Sequence, residues 1–173
     1  HYRKKIVVDA DQVSGSTDFT DFPILIDESS DSDLAAHAQS DGDDIVFTTI
    51  DGTKLDHEIE DYDNSTGALV AWVKIPTLYA SNDTTIYMYY SNAIVTNQQN
   101  PEAVWSDDFT MVHHLEETVD GDTNFLDSTS HNHDSDTTAM SETGSDPAAT
   151  GNIDGGIQLS GTLNEGMTIP DSD

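Results

Sequence analysis

The chain has no cysteine, five basic residues among 173, five prolines, and no apolar run that approaches the length of a bilayer. Without cysteine there are no disulfides, thiolate metal sites or cysteine nucleophile, and redox logic leaves the compartment open. The longest hydrophobic stretches fall far short of the ~20 residues a spanning helix needs, so this segment is expected not to insert into a membrane. The shortage of Lys and Arg is set against 26 Asp and eight Glu, for a net charge of −29. From Pro101 to Asp173 there is no Lys or Arg at all, while sixteen Asp or Glu occur. Such a surface repels phosphate backbones and anionic lipid, which argues against nucleic-acid partners. It also repels itself. High salt, which shortens the Debye length to about 3 Å at 1 M, or bound divalent cations would relieve that repulsion. A salt-adapted surface and specific cation sites are both compatible with it.

What is present points to strands. Hydrophobic residues are 35% of the chain and bunch into short runs, almost nowhere at helical spacing. Strands are expected at Lys4–Val8, Phe22–Ile26, Ile45–Thr49, Leu55–Glu60, Leu69–Ile75 and Thr84–Tyr90. Asp51-Gly52 suits a two-residue hairpin turn, and Pro76 is expected to end the fifth strand. One short helix is expected at Asp33–Ala38, capped by Ser32 or Asp33. The fold class is therefore all-β, a jelly-roll-like β-sandwich with one short helix, over residues 1–105. Residues 91–106 read as a linker. A partial second β module follows over 106–173, with strands at Met111–Leu115, Gly156–Leu159 and Gly166–Ile169 around a polar, exposed loop from Asp127 to Gly151.

Several runs resemble one family. They are 39–48 (QSDGDDIVFT), 51–60 (DGTKLDHEIE), 69–76 (LVAWVKIP), the opening 2–6 (YRKKI) and 22–25 (FPIL). Together they look like the domain of unknown function 2341 family of bacterial and archaeal surface proteins, over about residues 1–105. In that family the domain often precedes concanavalin-like (laminin-G-like) jelly rolls. The runs 111–117 (MVHHLEE), 127–130 (DSTS) and 155–159 (GGIQL) resemble the start of such a jelly roll, with His113 where Trp is usual. The second module then holds only the first part of its family's fold, which would leave backbone groups for a neighbour to complete. The resemblance implies no enzymatic activity and no established ligand. It implies an extracellular or cell-surface protein. The first residue, His1 rather than Met, fits a processed or excised segment.

Candidate sites follow from residue chemistry. Calcium wants six to eight oxygens, and Asp41, Asp43 and Asp44 form one cluster of carboxylates ahead of a strand. Asp120, Asp122 and Asn124 alternate like the start of a calcium loop, but Phe125 stands where Gly belongs and His131 where Glu belongs. Asp61 and Asp63 read better as turn residues. His113, His114, His131 and His133, with Asp134, offer imidazole for zinc, although adjacent histidines on a strand point to opposite faces. Asp56, Glu58 and Glu60 would share one face of a strand, a row that invites an acid–base reading but is expected to be an ordinary solvated face. No nucleophile elbow, phosphate loop or zinc-protease signature is present. Asn64 and Asn82 head glycosylation sequons in turn-like stretches, in keeping with export. The aromatics of Thr84–Tyr90 admit core packing or a sugar-stacking platform.

The leading expectation is a noncatalytic adhesion or carbohydrate-recognition module stabilised by calcium. Its partners would be neighbouring copies, other surface proteins or glycans. The alternative is a structural subunit of a surface filament or layer assembling by strand sharing.

Overall fold

The computed structural model describes residues 2–105, 108–115 and 125–135, together with 151, 153, 156 and 168–169. It divides into two compact units, His1–Val104 and Trp105–Asp173.

The first unit is a sandwich of two three-stranded antiparallel sheets. Sheet A has the order β1 (Tyr2–Val8), β6 (Thr84–Tyr90), β3 (Val46–Thr49), and sheet B the order β2 (Phe19–Glu28), β5 (Ala68–Leu78), β4 (His57–Asp63). A 3-10 turn at Ala10–Gln12 links β1 to β2, α1 (Ser32–His37) follows β2, and α2 (Pro101–Val104) closes the unit.

Strict alternation builds the core. In β5, Leu69, Ala71, Val73 and Ile75 are buried while Val70, Trp72 and Lys74 are not. In β6, Ile86, Met88 and Tyr90 face inward and meet them, with Phe47 of β3 and Leu34 of α1 completing the cluster. Burial of such side chains contributes about 1.5–3 kcal/mol each, and here two sheets supply them.

Several expectations change in detail. The helix is capped by Asp31, not by Ser32 or Asp33; its Oδ1 accepts from the amides of Asp33 (2.9 Å) and Leu34 (3.1 Å). Asp31 wins because its own N–H donates to the Thr66 carbonyl (3.0 Å), which fixes the approach to the helix. The fifth strand runs through Pro76 to Leu78. β4 starts only opposite Val73, so β5 has one neighbour by then, and the ladder skips the Asp21–Pro76 pair. Asp21 takes a positive φ of 49° there, and the resulting change of face brings Phe19 beside Phe22, ring centroids 5.3 Å apart.

The turn after β3 has three residues, closed by Thr49 and Thr53, with Gly52 at φ 88°. The return segment pairs only briefly with β3, through Thr48 and Lys54, and then leaves for sheet B as β4. Burial of Leu55 and His57 draws the chain across the sandwich.

Residues 92–104 are no free linker. Asn92 N–H donates to Asp44 Oδ2 (2.7 Å), the Gln39 amide donates to the Asn92 and Val95 carbonyls, and Ile59 N–H donates to Gln99 Oε1 (2.6 Å). Asn100 N–H donates to the His57 carbonyl (2.9 Å).

In the second unit, Met111–Leu115 forms no strand. The segment 125–135 is tightly folded rather than an open loop: Phe125, Asp127, Thr129 and Ser135 are all buried. The remaining expected strands lie almost wholly outside the described residues.

Candidate functional site

The acidic loop before β3 is a structural clip. Asp44 is buried, and its two oxygens are taken by backbone donors, Oδ1 by Gln39 N–H (2.8 Å) and Oδ2 by Asn92 N–H (2.7 Å). Asp43 N–H donates to Asp41 Oδ1 (3.2 Å), and Asp41 is exposed. The sequence motif thus ties the helix exit to the chain beyond β6. Asp120, Asp122 and Asn124 lie outside the described residues. Among the described residues, no three His, Cys, Asp or Glu side chains come together as a metal cage.

Asp63 serves its turn as expected, accepting from Ser65 N–H (2.8 Å), Ser65 Oγ (2.6 Å) and Thr66 Oγ1 (2.8 Å). These hydrogen bonds hold its carboxyl below the usual range. Asn64 and Asn82 are exposed.

The carboxylate row of β4 is woven into the fold. Asp56 accepts from Asn100 Nδ2 (2.8 Å), Glu60 from the Trp72 indole N–H (2.7 Å), and Glu58 lies opposite Trp72 in the ladder. The register shifts between Ile59 and Asp61, and Glu60 is the residue the bulge leaves over. Between them, His57 points into the core, fully buried, its ring edge-on to Phe47 at 5.3 Å. Its Nε2 has no hydrogen-bond partner. Burial pushes its pKa down to about 4.

In the second unit the hub is Asp127. Oδ1 accepts from Val112 N–H (2.9 Å) and Thr129 N–H (3.0 Å), and Oδ2 from Thr129 Oγ1 (2.8 Å) and His133 N–H (2.9 Å). Burial pushes this carboxyl up, but the four donors outweigh it and hold it low. The histidines satisfy the backbone: His113 Nε2 meets the His133 carbonyl (2.9 Å) and His133 Nδ1 the Thr110 carbonyl (3.0 Å). His131 stacks on His133 at 5.7 Å. Sequence alone gives Asp127 no distinction from its acidic neighbours, because its donors come from 15 residues before it and from residues after it.

The outer face of sheet A is of a different kind. Arg3, Lys5, Tyr87 and Tyr89 stand on it, with the Arg3 guanidinium 4.5 Å over the Tyr87 ring and 3.5 Å from the Tyr89 hydroxyl. The TTIYMYY strand serves the expected core packing through Ile86, Met88 and Tyr90, while Tyr87 and Tyr89 remain half-exposed. Beside them a cleft of about 340 Å³ opens, lined by Val46, Thr48, Tyr89, Asn92 and Gln98 among others.

Fold and faces together define a two-sheet antiparallel β-sandwich with acid-rich loops and one acid-free outer face. The chain belongs to the family described as domain of unknown function (DUF2341), whose profile matches residues 41–136. The match begins at the acidic loop, leaves out β1 and β2, and runs beyond Val104 into the second unit, so it differs at both ends from the 1–105 span of the sequence resemblance. No curated protein and no solved structure matches the chain.

Proposed function

We propose that this chain is a noncatalytic recognition module of an extracellular or cell-surface protein, and that it holds carbohydrate on the outer face of sheet A. The observation that carries the reading is the pair of half-exposed tyrosines, Tyr87 and Tyr89, one ring under a guanidinium, on a sheet face beside a cleft. Aromatic rings with a polar tip suit ligands that are apolar on one side and hydroxylated at the rim. The structural partners of Asp56 and Glu60 favour a noncatalytic role for that row. Calcium and high salt would relieve the charge of −29, and the exposed sequons at Asn64 and Asn82 accord with export.

A glycan array probed with the full chain tests the reading. Retention of a glycan by a monomer supports it; large assemblies without sugar preference contradict it. Chelator added at fixed ionic strength should lower the melting temperature, and an unchanged transition removes structural calcium from the account. A second reading, a filament subunit, draws on β2, a ten-residue edge strand whose Phe19 and Phe22 are exposed. It would show as concentration-dependent polymers.

A further inference from the structure

We propose that the outer face of sheet A selects an acidic polysaccharide, one bearing uronate carboxylates, an inference that rests on the carbohydrate reading above and narrows it. The three strands of sheet A, YRKKIVV, VFTT and TTIYMYY, contain none of the 34 acidic residues. Sheet B carries Asp21, Asp27 and Glu28 on β2 and Glu58, Glu60, Asp61 and Asp63 on β4. The sandwich is polarised.

The register then gathers cations on the acid-free side. Lys5 pairs with Tyr87, Tyr87 with Thr48, and Thr48 with Lys54. Directly paired residues of antiparallel strands share a face, so Lys5–Tyr87–Thr48–Lys54 forms one row about 14 Å long at normal strand spacing, in which Thr48 is buried and Lys54 donates to Gln98 Oε1 (3.4 Å). The adjoining row is Arg3–Tyr89–Val46. Three of the five basic residues thus lie on this face. The other two are used internally: Lys4 pairs with Asp31, and Lys74 donates to the Ala103 carbonyl (2.9 Å).

Among the described residues, Arg3, Lys5 and Lys54 make no ion pair, although the chain has 34 carboxylates to offer. At the high salt that screens the overall charge of −29, where only contacts within a few ångströms count, cations without a carboxylate partner beside tyrosine rings complement a ligand that brings its own negative charge. Tyr89 supplies stacking surface beside Tyr87, over which the Arg3 guanidinium lies as a fork suited to carboxylate, and the adjoining cleft is lined by Thr48, Asn92 and Gln98 and by the buried Asp44, whose oxygens accept from the Gln39 and Asn92 amides. Rings and cations side by side across three short strands fit a sugar chain better than the wide, knobbed surface of a folded partner.

The test is calorimetric titration of the full chain with polygalacturonate and with neutral dextran. It is repeated on two double variants, Arg3→Gln with Lys5→Gln and Tyr87→Ala with Tyr89→Ala. All four side chains face solvent, and a melting curve on each variant checks the fold. Polygalacturonate should bind at least tenfold tighter than dextran, and each double variant should weaken it by about tenfold, the effect of roughly 1.4 kcal/mol. Equal affinity for dextran, lost with the tyrosines but not with the cations, would overturn the acidic class and leave carbohydrate recognition standing. Polygalacturonate binding untouched by either variant would overturn this face as the site. Self-association abolished by the cation variant, with no polysaccharide bound, would assign the face to a second copy of the chain and remove both readings.

Discussion

Gly67, in the turn between β4 and β5, backs directly onto the carbonyl of Asp31, the cap of α1. A side-chain carbon at Gly67 would overlap that oxygen and lie 2.7 Å from its carbon and 3.0 Å from the Ala35 nitrogen. Its φ of 73° adds a conformation that L residues disfavour. Gly67→Ala should therefore cost about 3 kcal/mol or more, since backbone must move. Gly52→Ala is the control: its φ is 88° but nothing lies within 4 Å, so only strain of about 1 kcal/mol is expected. Chemical denaturation of the two variants should separate them clearly; equal losses would contradict the packing described.

Asp31 joins three functions: its carboxylate caps the helix and pairs with Lys4, and its backbone carbonyl backs onto Gly67. Burial pushes its pKa up, but Lys4 and the amides of Leu34 and Asp33 outweigh that and lower it, while the same contact raises Lys4 against its own burial. A depressed carboxylate contributes stability above its unfolded pKa of about 3.9 and loses it as pH falls through the lower folded value. Asp31→Asn should keep most of the cap and lose this acid dependence below pH 4. Asp31→Ala should lose about 1 kcal/mol more through the cap. Urea midpoints against pH read both effects.

His57 sets a different acid window. An unfolded histidine ionises near 6.5, and the buried ring stays neutral to about 4. Between those values the unfolded state binds more protons, so stability falls as pH is lowered. The loss should approach about 3 kcal/mol by pH 4. His57→Leu should flatten the stability profile between pH 6.5 and 4 while leaving the Asp31 region below it. A wild-type profile already flat there would contradict burial of a neutral imidazole.

Asp44 and Asp127 carry the same prediction in separate units. Replacing either with Ala removes the acceptor of part-buried backbone N–H groups, at about 1 kcal/mol each, and for Asp127 also of the buried Thr129 N–H, at about 1–3 kcal/mol. Asp44→Ala should speed hydrogen exchange at Asn92 and Gln39. Asp127→Ala should do so at Val112, Thr129 and His133. Unchanged protection at those amides would remove the two carboxylates from their structural roles.

The sandwich was legible because its patterns are local. Alternation in Thr84–Tyr90 and Leu69–Ile75 marks both strand and buried face, and DG marks a turn. What escaped was set by distant partners. The cap of α1 depends on Thr66, the crossing after Lys54 on burial of Leu55 and His57, and the ordering of 92–100 on Gln39, Asp44 and Asp56. The sequence likewise hides that Asp44, offered as a cation ligand, accepts from the N–H of Asn92, 48 residues on. The tyrosine face was half legible. Its rings follow from period two, but its cations meet only through the pairing of β1, β3 and β6.

Backbone amide shifts of the isotopically labelled full chain, followed by NMR as an oligogalacturonate is added, test the recognition face most directly. Shifts should concentrate at Arg3, Lys5, Thr48, Lys54, Tyr87 and Tyr89, with sheet B and the 41–44 loop unmoved. Shifts centred on that loop or on β4, or a spectrum unchanged at saturating sugar, would contradict it.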